Sequence, residues 1–189
     1  MPEADALTPD VLLRSETVHS GKLLTVRVDT VRLPNGNERA REVVEHPGAI
    51  ALVPLLSDGR VVLVRQWRHA VGQMLLEVPA GTCEKGEEPA ATAARELKEE
   101  TGYTAREIIL LGSFFSAPGF CTELLSCYLT VGLTAGDATP EEDEGIALVS
   151  LPLADLPAII ARGDIRDAKS IAAIAMTQQY LATHPDLSL

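Results

Sequence analysis

Apolar and polar residues alternate along Leu24-Thr25-Val26-Arg27-Val28-Asp29, the period of a half-buried strand. Pro34-Asn35-Gly36-Asn37 is a strong turn signal, and residues 41–45 can return as the partner strand. Residues 1 to about 14 show no such period and read as a loose leader. The segment 1–46 is thus expected to hold a small antiparallel β unit, with Pro47-Gly48 as the boundary to a main domain over 47–189. Beyond the boundary the pattern changes. Residues 49–56 and 61–64 are apolar runs without alternation, as suits central strands buried on both faces, with a turn at Ser57-Asp58-Gly59. Residues 75–78 form a short strand ended by Pro79-Ala80-Gly81. The stretch 89–101 has alanine-rich helix composition, with Pro89 suited to a first turn and Gly102 to a C-terminal stop. Residues 108–115, 124–131 and 146–151 read as strands, and 153–181 as two helices split near Gly163. This mixture of strands and helices predicts an α/β fold, a mixed sheet covered on both faces.

Composition narrows the class without naming a function. With 189 residues, 46% hydrophobic and 23% charged, the chain can bury a sizeable core. A formal net charge of -11 excludes a general affinity for nucleic acid, because phosphates would be repelled. It leaves room for a small anionic substrate, since arginines or a bound cation can reverse the field inside one cleft. The three cysteines are odd in number and lack zinc-site spacing, which points away from a disulfide framework and towards a reducing cytoplasm. The acidic start MPEADALTPD lacks the order of a signal peptide, and the longest apolar run, 49–56, is too short to span a bilayer. No membrane partner is expected.

The candidate chemistry lies in Arg95-Glu96-Leu97-Lys98-Glu99-Glu100. On a helix, Glu96, Glu99 and Glu100 are spaced i, i+3 and i+4 and share one face. Ala90, Ala94, Leu97 and Thr101 are expected on the opposite face, packed on the sheet. Like charges so placed destabilise a helix by a few tenths of a kcal/mol, at roughly the magnitude of one helix pair. A solvated acidic face is the plain reading of such a cluster; cation binding is the chemical one, because Mg²⁺ takes hard oxygen ligands.

The surrounding spacing decides between them. Gly81, five residues, Glu87, seven residues and Arg95-Glu96-Leu97-Lys98-Glu99-Glu100-Thr101-Gly102-Tyr103 resemble the Nudix box, G-x5-E-x7-R-E-U-x-E-E-x-G-U, where U is bulky and aliphatic. Every position fits except the last, where Tyr103 stands for the aliphatic residue. The resemblance implies an α/β/α sandwich and hydrolysis of a nucleoside diphosphate linked to another moiety. It implies Mg²⁺, with Mn²⁺ as a substitute, held by Glu96 and Glu100, with Glu99 as an additional or bridging ligand counted with the catalytic group, and by the carbonyl of Ala80. Arg95 would orient these carboxylates, Gly81 would bring the backbone close, and Glu87 would serve the loop.

The flanks speak to substrate. Pro118, in Ser116-Ala117-Pro118-Gly119-Phe120, stands where the ADP-ribose pyrophosphatase subgroup carries a proline; a plain turn is the alternative. Val64-Arg65-Gln66-Trp67-Arg68 and Leu76-Glu77-Val78-Pro79-Ala80-Gly81 are similar to the ADP-ribose and sugar-nucleotide branch. The resemblance gives Arg68 a phosphate and Glu77 the adenine or ribose, with Arg65 a weaker candidate. Trp67 is expected in the core. Glu123 either faces the distal ribose or is a solvated loop acid. In related enzymes a loop like Pro140-Glu141-Glu142-Asp143-Glu144 supplies the base, which makes Glu142 the choice and Glu144 a metal contact or orienting group, with the two roles exchangeable. The segment 163–170 reads as scaffold. The expected reaction is conversion of ADP-ribose to AMP and ribose 5-phosphate. The alternatives are other nucleoside diphosphate sugars (GDP-mannose, ADP-glucose) and, in another class, a non-catalytic nucleotide sensor. The N-terminal unit in this branch commonly joins a dimer, so a homodimer is expected.

Overall fold

Every residue of β4 (Ala49–Pro54) is buried, because its two faces meet different partners. Ile50 and Leu52 cluster with Ala93 and Leu97 of α1 (Pro89–Thr101) and with Tyr128. Ala49, Ala51 and Val53 join the larger core with Leu156 and Ile159 of α2 (Leu156–Ala161), Ile165, and Ala173 and Ile174 of α3 (Ala168–Thr183). A strand covered on both sides has no polar face, which is why the run shows no alternation.

The computed structural model describes residues 8–138 and 145–189. β4 lies inside a four-stranded mixed sheet of order β7 (Ala80–Thr82), β4, β9 (Leu124–Ala135), β8 (Tyr103–Phe115). It runs parallel to β9 and antiparallel to β7, and β8 runs antiparallel to β9. A second, antiparallel sheet has the order β10 (Ala147–Pro152), β5 (Arg60–Arg68), β6 (Gln73–Glu77). With α1 on one face and α2 and α3 on the other, this is the expected α/β/α sandwich with a mixed sheet.

The chain divides into two compact units, the second being 48–116 with 124–189. The first takes the residues up to Pro47 and also 117–123, a segment that the sequence reading left with the main domain. Its sheet has the order β1 (Val11–Ser20), β2 (Thr25–Arg32), β3 (Glu38–Glu45), antiparallel throughout. Within this unit Val44 N–H donates to Phe120 O at 2.7 Å, Thr122 N–H to Val44 O at 2.9 Å and His46 N–H to Thr122 Oγ1 at 3.0 Å. These bonds tie 117–123 to the end of β3.

Four expectations need correction. The loose leader ends earlier than residue 14, since β1 begins at Val11; every residue of β1 is exposed, so burial never imposed an apolar period on it. β8 begins at Tyr103 rather than 108, because it leaves directly from the cap of α1 and alternates in exposure along its first residues. Trp67 is 55% exposed in this chain, not in the core, because it shares with Arg65 the exposed face of the end of β5, opposite buried Gln66. On α1, Ala90 and Ala94 are exposed, while Thr92, Ala93, Leu97, Glu100 and Thr101 are buried. The buried arc is rotated towards the acidic face, so the two overlap at Glu100. Among the described residues, no helix is long and apolar enough to cross a membrane.

Candidate active site

The site is built on a strand-to-helix connection. Pro89 opens α1 in its first turn, and Gly102 closes it in the left-handed conformation, φ 74°, with its N–H on Lys98 O. A Cβ at Gly102 would come within 2.7 Å of Gly136 O, so both backbone and space call for glycine there. Packing of Leu97 and Ala93 on β4 then fixes the rotation of the helix, and with it the carboxylates.

Glu100 is 3% exposed, and its Oε2 accepts the Ala80 N–H at 3.1 Å. Glu96 lies directly over Gly81: a Cβ there would fall 2.0 Å from Glu96 Cδ and 2.1 Å from Oε1. Any side chain at 81 would push the Glu96 carboxylate aside. Arg95 is the hub of the remaining acids. Its Nη1 donates to Glu96 Oε1 at 2.7 Å and to Glu99 Oε2 at 2.9 Å. Its Nε and Nη2 donate to Glu87 at 3.2 and 3.1 Å, and Nη2 reaches Thr82 O at 3.4 Å. Arg95, aided by the Glu84 backbone N–H, holds the Glu87 carboxyl down at about 2. Donating to Glu87, and then to Glu96 and Glu99, in turn raises the Arg95 guanidinium above its ordinary value.

Glu87, Glu96 and Glu99 thus stand around one guanidinium, and Glu100 adds a fourth carboxylate on the last turns of α1, an excess of negative charge there. The donors suit a hard divalent cation in kind: carboxylates on one helix face, with the backbone carbonyl of Ala80 on the adjoining strand. Among the described residues no three acidic, imidazole or thiol side chains already converge on one point, since Arg95 draws Glu96 and Glu99 to itself.

A second polar group occupies the β5–β6 sheet. Arg68 grips Glu77 through Nε at 3.0 and 3.2 Å and Nη2 at 2.7 Å. Burial pushes the Glu77 carboxyl up, but Arg68 and Lys169 outweigh it and hold the group ionised, below its ordinary value. Lys169 Nζ donates to Glu77 Oε2 and, at 2.8 Å, to Asp167 Oδ1. Sequence reasoning passed over Lys169 by taking 163–170 as scaffold. The signal was a lysine beside the α3 N-cap: Asp167 Oδ1 accepts the Ser170 N–H at 3.0 Å, and Ser170 Oγ accepts the Val78 N–H at 2.9 Å.

Arg65 is exposed and, by strand alternation, lies on the other face of β5 from Arg68. Pro118 and Glu123 belong to the first unit; Pro118 is exposed, and Glu123 Oε1 stands 3.6 Å from His46 Nδ1. Glu142 and Glu144 lie outside the described residues.

Comparison with known proteins agrees with this geometry. The NUDIX domain family matches residues 44–174, and the nucleoside diphosphate sugar hydrolase N-terminal domain matches residues 12–44. The chain is 38% identical to an ADP-ribose pyrophosphatase of Bacillus subtilis (strain 168) over 89% of its own length and 90% of the relative's. It is 39% identical to a methanol dehydrogenase activator of Bacillus methanolicus, with the same coverage. A crystal structure of an ADP compounds hydrolase shares the fold with a TM-score of 0.86 at 24% identity, covering 97% of this chain and 100% of that one. Divalent metal ions are general in this family, in keeping with the oxygen donors gathered on α1. Matched at such identity over so much of its length, and with Glu96 of the box folded over Gly81, this chain belongs to the Nudix family of hydrolases.

Proposed function

We propose that this protein hydrolyses the diphosphate of ADP-ribose, giving AMP and ribose 5-phosphate. The observation that carries the reading is the seating of Glu96 over Gly81 beside buried Glu100, which leaves an all-oxygen acidic face at the end of α1. The B. subtilis relative named an ADP-ribose pyrophosphatase, together with Pro118, supports the choice of substrate.

Glu96, Glu99, Glu100 and the Ala80 carbonyl would hold Mg²⁺, with Mn²⁺ as a substitute. The ion supplies charge neutralisation and Lewis acidity at the diphosphate. Glu142 takes the proton of the attacking water, and Glu144 orients or contacts the metal. One phosphorus–oxygen bond forms and one breaks, with a phosphate monoester leaving on each side. Arg68 binds the diphosphate as a planar fork. Glu77 accepts hydrogen bonds from the adenine or ribose, Arg65 is a weaker contact, and Glu123 is assigned the distal ribose. Arg95 orients the carboxylates. The protein works in the cytoplasm as a homodimer joined through its N-terminal unit.

The test is product analysis of purified protein with ADP-ribose and Mg²⁺. AMP is expected; no AMP, together with efficient cleavage of GDP-mannose or ADP-glucose, would refute the substrate. Glu142→Gln and Glu144→Gln sort the base, and little rate loss in both would place it elsewhere. Light scattering that finds an active monomer would remove the dimer.

A further inference from the structure

Glu77, 1% exposed, has two cationic partners, and they are not equivalent. The Arg68 side chain is 40% exposed, and among the described residues its Nη1 meets no hydrogen-bond acceptor. The Lys169 side chain is 16% exposed and is pinned between Glu77 and Asp167. Asp167 is itself fixed as the cap of α3, and the next turn of that helix is tied to Val78 through Ser170. Lys169 is therefore the counter-charge anchored on two acids, and Arg68, held among the described residues by Glu77 alone and more exposed, the one better placed to turn outward.

The distinction matters because a buried carboxylate stripped of its cation is costly. Were Arg68 the sole partner of Glu77, releasing it to bind a phosphate would leave that charge uncompensated, and substrate binding would bear the penalty. Glu100 and Asp167 add to the negative field at Arg68, so only an anion of comparable charge can draw it away. A diphosphate is such an anion.

We propose that Lys169 is a positioning residue, which keeps Glu77 compensated and in place while Arg68 turns its guanidinium from Glu77 to the substrate's diphosphate. The inference rests on the assignment of Arg68 to the diphosphate.

Steady-state kinetics with ADP-ribose and saturating Mg²⁺ on Lys169→Met, Lys169→Gln, Lys169→Arg, Arg68→Ala, Glu77→Gln and the double variant Glu77→Gln/Lys169→Met test it. Both neutral variants at 169 should raise KM about tenfold and leave kcat within about threefold, the mark of lost binding rather than lost chemistry. Lys169→Arg should restore KM to within about threefold, because the charge returns. In the Glu77→Gln background, Lys169→Met should change KM by less than about twofold, since position 77 then carries no charge to compensate. The inference fails if the neutral variants keep the wild-type KM, if Lys169→Arg is as poor as they are, or if the penalty persists in the double variant. An Arg68→Ala protein with unchanged KM would refute the placement of the diphosphate and the inference with it. A raised KM in Arg68→Ala beside silent neutral variants at 169 would refute the part of Lys169 alone.

Discussion

Replacing Gly81 by alanine separates the site from the fold more cleanly than removing a carboxylate. The added methyl carbon would sit 2.0 Å from Glu96 Cδ, 2.1 Å from Oε1 and 2.4 Å from Cγ. The φ of Gly81 lies outside the left-handed region, so alanine strains no backbone there, and the conflict falls on one side chain. Glu96 must swing aside and lose its 2.7 Å contact with Arg95. An off-rotamer side chain costs about 1 kcal/mol, and a partly exposed ion pair contributes up to about 1 kcal/mol. The fold should therefore lose about 1 to 2 kcal/mol, or roughly 2 to 8 °C in Tm for a chain of this size. Activity should suffer far more. A displaced metal ligand is expected to lower kcat/KM by about a hundredfold or more, close to 3 kcal/mol of transition-state stabilisation. The half-saturating Mg²⁺ concentration should rise about tenfold or more. Thermal melts, kcat/KM with ADP-ribose and a Mg²⁺ titration give the three numbers. A variant with near wild-type kcat/KM and Mg²⁺ response would show that Glu96 need not lie over Gly81 for catalysis, and the reasoning would fall.

Other outcomes follow from neighbouring contacts. In Glu100→Gln the carboxamide oxygen can still accept the Ala80 N–H, so Tm should hold within about 4 °C while kcat/KM falls about a hundredfold; equal losses in both would make Glu100 structural only. Arg95 holds the folded Glu87 carboxyl at about 2 against an ordinary 4.5, so its stabilisation is complete above the higher value and is lost as pH falls through the lower. The Tm gap between wild type and Glu87→Gln should be constant near neutrality and shrink between those two values; a gap undiminished at the lower one would contradict the pairing. Leu97→Ala empties a 1% exposed position between α1 and the sheet and should cost about 2 to 5 kcal/mol in chemical denaturation, with a loss under about 1 kcal/mol refuting the packing.

Much of the fold was legible wherever burial imposes a pattern. The uninterrupted run of β4 and the proline and glycine that bracket α1 are local signals, and the structure places both elements where they point. The strand β1 and the start of β8 were hidden because exposed or one-sided segments need no apolar period. Trp67 misled for the related reason that an aromatic residue records a preference for burial, while coverage by other elements decides it.

The sequence by itself determined the reaction class, since the box is a matter of spacing along a single turn-and-helix segment. By resemblance it also turned Arg68 and Glu77 separately towards substrate, whereas their grip on each other belongs to the folded structure. Only the tertiary structure decided that Glu100 sits in the buried arc of α1, that Glu96 occupies the space left by a missing Cβ, and that Lys169, 92 positions from Glu77, balances its charge. Helical spacing states which side chains share a face. Which part of that face is desolvated, and which distant cation compensates it, depends on how the strands and helices pack.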